Sequence, residues 1–594
     1  MHRRVWLLAG VGAALVAMAT SATATANVAT SAAARTASLH AAPFAEAWAQ
    51  VPRTPAARKA KQVLVFGGEQ DPSGFNILQA TQSSEWAVIE GISPVIRGIY
   101  IQDNNGNYKL DLASKVVADK SGMTITLRPD AYWNWGGKKL PVTNQDLVYS
   151  WKAEIDPNNQ AASNTGYINI GSYTLKGTKT VTFHWRTSCP PGTEANGTCA
   201  VGPFADYRDL FAAPLGVYPS KALAGLDWNT LWANCVCGND GKPVSDGPFM
   251  LTNWTKGQGV TLKANPFWYG KKPGLKEIDF KLLTDTNTEI QAMRGGEVDA
   301  IFPSPQTALS QLLNQPGLVY DVHRAFNMEH ISIQQGPQGN PLLKQPWMRQ
   351  AIVLGINRVS LIKALYSSFA PGVKPLNSFE YLLGSAAMPH FAKWTSAPGK
   401  ALALLKQHCT GGPSKPTRGN TAIWTCNGQK AEFRWFTTVG NQLRATSEAI
   451  FEQQLAAIGI KIDPTFMPGP GVLFGKVLPS HDYDLAEYAE SLSTPDPAGL
   501  DSYWKCGSPG NFHSYCNKKV DKLIAAAGND FNPKTRQATY EQVDQILAND
   551  LPAFPLYARP TILVYKKTIK GMEKSNNPLS VGPTWNAEDW SWGA

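Results

Sequence analysis

The chain has 594 residues, of which 43% are hydrophobic and 17% charged, with a formal net charge of +10. That balance is ordinary for a globular protein, and at roughly 150 residues per domain the length leaves room for several cores. The basic residues are scattered apart from pairs such as Lys138-Lys139 and Lys566-Lys567. A solvated basic surface is expected from that pattern, and a nucleic-acid partner is not.

Arg3 and Arg4 precede an apolar run from Val5 to Ala19. The run is shorter than the ~20 apolar residues that span a bilayer. Ala22-Thr23-Ala24 and Ala24-Thr25-Ala26 both fit a small-residue cleavage site, so residues 1–26 read as a secretory signal peptide and the protein as exported. From Thr20 to Lys61 the chain is rich in Ala, Thr, Ser and Pro, and 27–60 reads as a flexible leader. No second membrane-length apolar run follows.

The folded part opens with a strand at Gln62 to Phe66, then a loop bent by Asp71-Pro72 and Ser73-Gly74. Alternating Met123, Ile125 and Leu127 predict a strand, and Thr143 to Lys152 a capped helix. The most interpretable stretch runs from Val244 to Pro303. Phe249, Leu251 and Trp254, then Val260 and Leu262, then Ile278, Phe280 and Leu282 predict three strands. Thr286 and Glu289 have capping-box spacing, Gly295-Gly296 stops the helix, and Val298 to Phe302 starts another strand. The unit is therefore β-β-β-α-β, an α/β signature that by itself names no function.

Farther on, apolar residues around the Asn357-Arg358 break predict two consecutive helices, and residues 396 to 407 a third. Glu432 to Phe436 reads as a strand, Ser447 to Ile458 as an amphipathic helix ended by Gly459, and Ile460 to Ile462 as a second strand, an order that makes parallel pairing plausible. A strand at Tyr483 to Ala486, a helix begun by Pro533 and a final strand complete the chain.

The eight cysteines fall as neighbours: Cys189 and Cys199, Cys235 and Cys237, Cys409 and Cys426, Cys506 and Cys516. In an exported chain this favours local disulfides. Cys235-Val236-Cys237 would close a tight ring, so pairing of these two elsewhere stays open. Zinc is the competing use of Cys235-x-Cys237, or of Cys506, His513 and Cys516, but paired C-x₂-C spacing is missing and no metal is expected. Catalytic motifs are missing too: there is no G-x-S-x-G and no H-E-x-x-H. Ser360-x-x-Lys363 has acyl-serine spacing without its K-T-G or S-D-N partners, which leaves a secreted serine hydrolase as a minor alternative.

GPFMLTNWTKGQGVTLKANPFWYG followed by EIQAMRGGEVDAIF closely resembles the core of family 5 extracellular solute-binding proteins, the peptide-binding components of bacterial ABC importers. With gaps, the resemblance runs from about residue 61 to 590. It implies a two-lobed, periplasmic-binding-protein-like fold of type II, with an extra subdomain inserted in the first lobe at about 98–234. The lobes implied are 61–325 and 326–553, with 554–594 returning to the first. Arg349 and Arg358 carry over as structural, and the Cys506/Cys516 pair resembles a bridge of dipeptide-binding relatives.

Carried over by position, the ligand contacts are Thr81, Gln82 and Ser83, then Tyr167, then Lys476, Tyr488, Glu490, Ser491 and Ser493. No cofactor is implied, and the partners are a peptide or other small solute and membrane permease subunits, with the binder a monomer. Nickel complexes, oligosaccharides and opines are other solutes of the family. Two departures stand out. Relatives in Gram-positive bacteria carry an acylated cysteine at the cleavage site, whereas the first cysteine here is Cys189. Typical peptide binders also place an aspartate for the peptide α-ammonium where this chain has Ser493, with Glu490 the nearest substitute.

Overall fold

Alternating burial builds the first edge of the main sheet. Phe249 and Leu251, Val260 and Leu262, and Ile278 and Phe280 point into a core while Lys263 and Lys281 face solvent, as a half-buried sheet requires. The computed structural model describes residues 62–593, apart from 80, 162, 194–198, 381–387, 492–496 and 509. The expected signal peptide and leader lie outside those residues. Among the described residues no helix is long and apolar enough to cross a membrane.

The main sheet has ten strands, in the order Phe249–Thr255, Gly259–Ala264, Glu277–Leu282, Val63–Gly68, Ala300–Ile301, Ala553–Lys566, Leu318–Ile333, Leu485–Ser491, Glu432–Thr438 and Lys461–Met467. The first three are antiparallel neighbours, and Val63–Gly68 runs parallel to both Glu277–Leu282 and Ala300–Ile301. At the other end Glu432–Thr438 pairs in parallel with Lys461–Met467 and with Leu485–Ser491. Pro464 is tolerated because its strand is at the sheet edge.

Two long strands, Leu318–Ile333 and Ala553–Lys566, pair antiparallel in the middle and join the two ends. The first was not legible in the sequence, because Asp321, His323, Arg324, Glu329 and His330 interrupt any apolar period. Their ladder is broken twice, between Arg324 and Met328 and again between Glu329 and His330, where Leu556 has no partner of its own. Between Arg324↔Pro560 and Met328↔Ala558, the residues Ala325–Asn327 stand opposite Arg559 alone. This bulge contains Phe326, the expected start of the second lobe.

Local signals set the helix ends with two corrections. Asn144–Ile155 starts in a capping box of Thr143 and Asp146, as expected. The helix Thr286–Gly295 is capped instead by Asp285, whose carboxylate accepts from the Thr288 amide at 2.8 Å, while the Thr286 hydroxyl turns to Glu69 at 2.6 Å. Asp285 wins because an ionised cap binds the orphan amides more strongly than a hydroxyl. The expected Ser447 to Ile458 helix begins earlier, at Gln442, behind an Asn441 cap.

Buried side chains form two large cores. One holds Leu64, Phe66, Trp133, Tyr218, Phe249 and Trp590, from residues before Phe302 and after Leu563. The other is built mainly after Leu283 and includes Met348, Trp435, Phe451, Tyr540 and Leu547. A four-stranded sheet of Ala113–Ala118, Gly122–Leu127, Thr180–Trp185 and Ile170–Lys176 packs into the first core. Disulfides join Cys189 to Cys199, Cys235 to Cys237, Cys409 to Cys426 and Cys506 to Cys516. The cysteines of both zinc alternatives are thereby consumed.

Candidate ligand cleft

A cavity of about 1050 Å³ lies between segments of the two cores. Ile77–Leu78, Ser83–Glu85, the turn Tyr167–Asn169 and the strap Pro203–Leu215 contribute to one wall. The facing wall comes from the Ala325–Asn327 bulge, the Ala498–Tyr503 turn and the helix Lys518–Gly528 through Ile524 and Ala525. Thr561 and Pro578–Ser580 close the root beside the long strands.

At the opposite side the walls touch. The Ala205 amide donates to the Gly528 carbonyl at 2.9 Å, Tyr207 stacks on Phe531 with ring centres 6.1 Å apart, and Asp206 pairs with Arg536. Arg536 belongs to the helix Pro533–Asp550, whose Tyr540 and Leu547 sit in the second core. The strap is thus a bridge between cores and shuts the cleft on that side.

Of the residues expected to contact ligand, Ser83 and Tyr167 line the cavity. Tyr167 also shapes it, since its hydroxyl accepts the Phe211 amide at 2.7 Å and holds the strap. Gln82 is buried behind the wall, accepting from the Asn76 amide at 3.1 Å; a Cβ at Gly74 would come within 1.9 Å of its Oε1, so a larger residue there would displace the Gln82 side chain. Thr81 is exposed and bonds Gln79. Lys476 is exposed on the turn Gly469–Val477, off the cavity wall. Tyr488 is fully buried, with its ring edge-on to His330 at 4.4 Å. Alternation explains this, for Tyr488 and Glu490 share a strand face turned inward. Glu490 accepts a hydrogen bond from Tyr503, which does line the cavity. Ser491 ends its strand opposite Asn327, and Ser493 lies outside the described residues.

Sequence reasoning missed Glu85, Gln102, Asn327, Tyr503, Lys505 and Thr561, all of them on the wall. Only Tyr503 and Lys505 carried any signal, as near neighbours of the paired Cys506. The charged lining is unequal: Asp206, Asp209 and Asp501 are engaged by Arg536, Tyr108 and Tyr540, while Glu85 opens onto the cavity. Crowding by protein raises the Glu85 pKa, and the Arg559 guanidinium opposes that shift. Burial pushes His330 down to about 4 and His513 to about 3, so both are neutral side chains of the wall's backing.

Arg349 and Arg358 are buried and spent on backbone carbonyls, Arg349 on Asp550 at 2.8 Å and Arg358 on Pro555 at 2.8 Å. Ser360 is exposed and donates to the Asn357 carbonyl at 3.0 Å, the bond of a helix start rather than of a nucleophile.

Two lobes joined by crossing strands around a cleft define a ligand-enclosing binding protein. The family model of bacterial extracellular solute-binding proteins, family 5 Middle, matches residues 107–511. The chain belongs to this family. The oligopeptide-binding protein AppA of Bacillus subtilis (strain 168) is 23% identical over 514 residues, covering 86% of this chain and 88% of its own. Its structure with a nonapeptide has a TM-score of 0.68 at 20% identity, covering 90% of this chain and 99% of that one. The periplasmic EDTA-binding protein EppA gives a TM-score of 0.74 at 20% identity, with 90% and 96% covered. NikZ from Campylobacter jejuni, solved with Ni(L-His), gives 0.70 at 20% identity, with 89% and 99% covered. The fold is the two-lobed type II binding-protein fold with its inserted subdomain.

Proposed function

We propose that the chain captures peptides in this cleft and presents them to the membrane permease of an ABC importer. The observation that carries this reading is the cavity of about 1050 Å³ closed between two cores. It stands at the upper end of the ~300–1,000 Å³ typical of ligand sites, and its walls mix apolar side chains with separated polar groups. AppA, similar along most of this chain, is by name an oligopeptide binder.

Affinity and closure are one process here. A ligand that touches both walls favours the closed form by its differential contacts, and the crossing strands are the element about which lobes of such proteins rotate. In this reading the 1–26 segment directs export, the mature chain acts as a monomer outside the membrane, and no bond is made or broken in the ligand. A second reading, a metal chelate as cargo, is favoured by the names of EppA and NikZ.

Native mass spectrometry against a panel of tri- to pentapeptides, EDTA complexes and nickel–histidine tests the choice. Peptide adducts, with a smaller radius of gyration by X-ray scattering on binding, are expected. Adducts with chelates alone would overturn the peptide reading.

A further inference from the structure

We infer that the root of the cleft is a neutral subsite in which Gln102, Asn327 and Thr561 read an amide group of the ligand. The inference rests on the peptide reading above. Gln102 is 1% exposed, yet among the described residues neither its amide oxygen nor its amide nitrogen has a hydrogen-bond partner. Asn327 Oδ1 and Thr561 Oγ1 are likewise buried without one. All three residues line the same cavity.

One short loop gathers them. Asn577 donates to the Gln102 carbonyl at 3.0 Å, Asn576 to the Thr561 carbonyl at 3.3 Å, and the Pro578 carbonyl accepts the Phe326 amide at 2.8 Å, next to Asn327. Their backbones are therefore held while their side chains are left unspent. Buried polar groups are nearly always bonded, and leaving one unmet is costly. These atoms are covered by protein in this structure, and a ligand group that draws the side chains toward the cavity they line relieves that cost.

The chemistry of that partner follows from the set. Gln102 offers a donor and an acceptor, Asn327 Oδ1 an acceptor, and Thr561 either role. An amide supplies both an N–H and a C=O. The charged lining residues Glu85, Asp206, Asp209, Asp501 and Lys505 stand on other segments, and the nearby Arg559 guanidinium already faces Glu329 at 3.9 Å and acts on Glu85. The uncharged set Gln102, Asn327 and Thr561 therefore offers a desolvated ligand charge no counter-ion of its own.

The test compares wild type with Gln102→Leu and, independently, Thr561→Val. Thermal unfolding is measured without ligand, and calorimetry is run with the tightest peptide of the panel and with analogues carrying an ester in place of each amide. For Gln102→Leu we expect an unchanged or higher Tm, since an unmet amide is removed, with peptide affinity about tenfold weaker. One ester analogue should bind wild type more weakly than the peptide and lose that difference in the variants. Unchanged peptide affinity in both variants overturns the subsite, as does a lower Tm with affinity intact, which marks a structural role. If wild type binds nickel–histidine and no peptide, the peptide reading fails separately; the same variants binding that complex as wild type does would then also overturn the subsite.

Discussion

The phenol of Tyr503 donates a hydrogen bond to the Glu490 carboxylate, so a cavity-lining side chain holds the residue that was the expected anchor for a ligand amine. Burial raises the Glu490 pKa from 4.5 to about 7, and the Tyr503 bond opposes the rise. The folded value lies above the unfolded one, so this group's contribution to stability is full below the unfolded value and is lost as pH climbs through about 7. Urea midpoints should therefore fall between these limits, and Glu490→Gln should flatten that slope. Tyr503→Phe should move the window upward, because it removes the bond that favours the ionised form.

Closure should depend on the pair of Asp206 and Arg536, whose side chains are 0% and 7% exposed. Removing one partner of a buried pair costs about 3–5 kcal/mol, and here the cost falls on the form in which the strap meets the second core. Asp206→Asn is expected to enlarge the radius of gyration without ligand and to speed ligand release by at least tenfold in stopped-flow fluorescence. An unchanged release rate would remove the strap from the closing mechanism.

A second buried pair is internal to one lobe. Arg444 Nε lies 2.7 Å from Glu329 Oε1, and the Glu329 side chain is 2% exposed. Arg444 holds the Glu329 pKa down against the raising effect of burial. Arg444→Met should lower stability by about 3–5 kcal/mol in denaturant titrations, whereas the double variant with Glu329→Leu should recover most of the loss. Peptide affinity at low temperature should change little in the double variant.

The Cys409–Cys426 bridge closes a separation of 17 residues beside the second core. Replacing both cysteines with serine frees that loop in the unfolded chain, a loss of about 3 kcal/mol on the chain-entropy account. Differential scanning calorimetry should show a lower Tm, with the peptide dissociation constant unchanged because neither cysteine lines the cleft.

Local order was well encoded. Alternation at Phe249 to Leu282, the Thr143 cap with Asp146, and the glycine stop at Gly296 are settled within a few residues, where periodicity and hydrogen-bond geometry leave one economical answer. The resemblance to the solute-binding family was carried by the same contiguous stretch and needed no coordinates. The helix Thr286–Gly295 shows the limit of such reading, since two adjacent residues could cap it, and in the fold Asp285 takes the amide while the Thr286 hydroxyl turns to Glu69.

Only the tertiary structure decided the cleft. Gln102, Asn327 and Thr561 are far apart in sequence and have no shared motif; they become neighbours because two long strands pair across the middle of the sheet and slip by a bulge at Ala325–Asn327. The same holds for Glu490, which sequence placed facing a ligand and the fold places behind Tyr503. Strand and helix signals act over one or two turns of chain, whereas which wall a polar side chain faces, and whether it finds a partner there, is set by long-range pairing and packing.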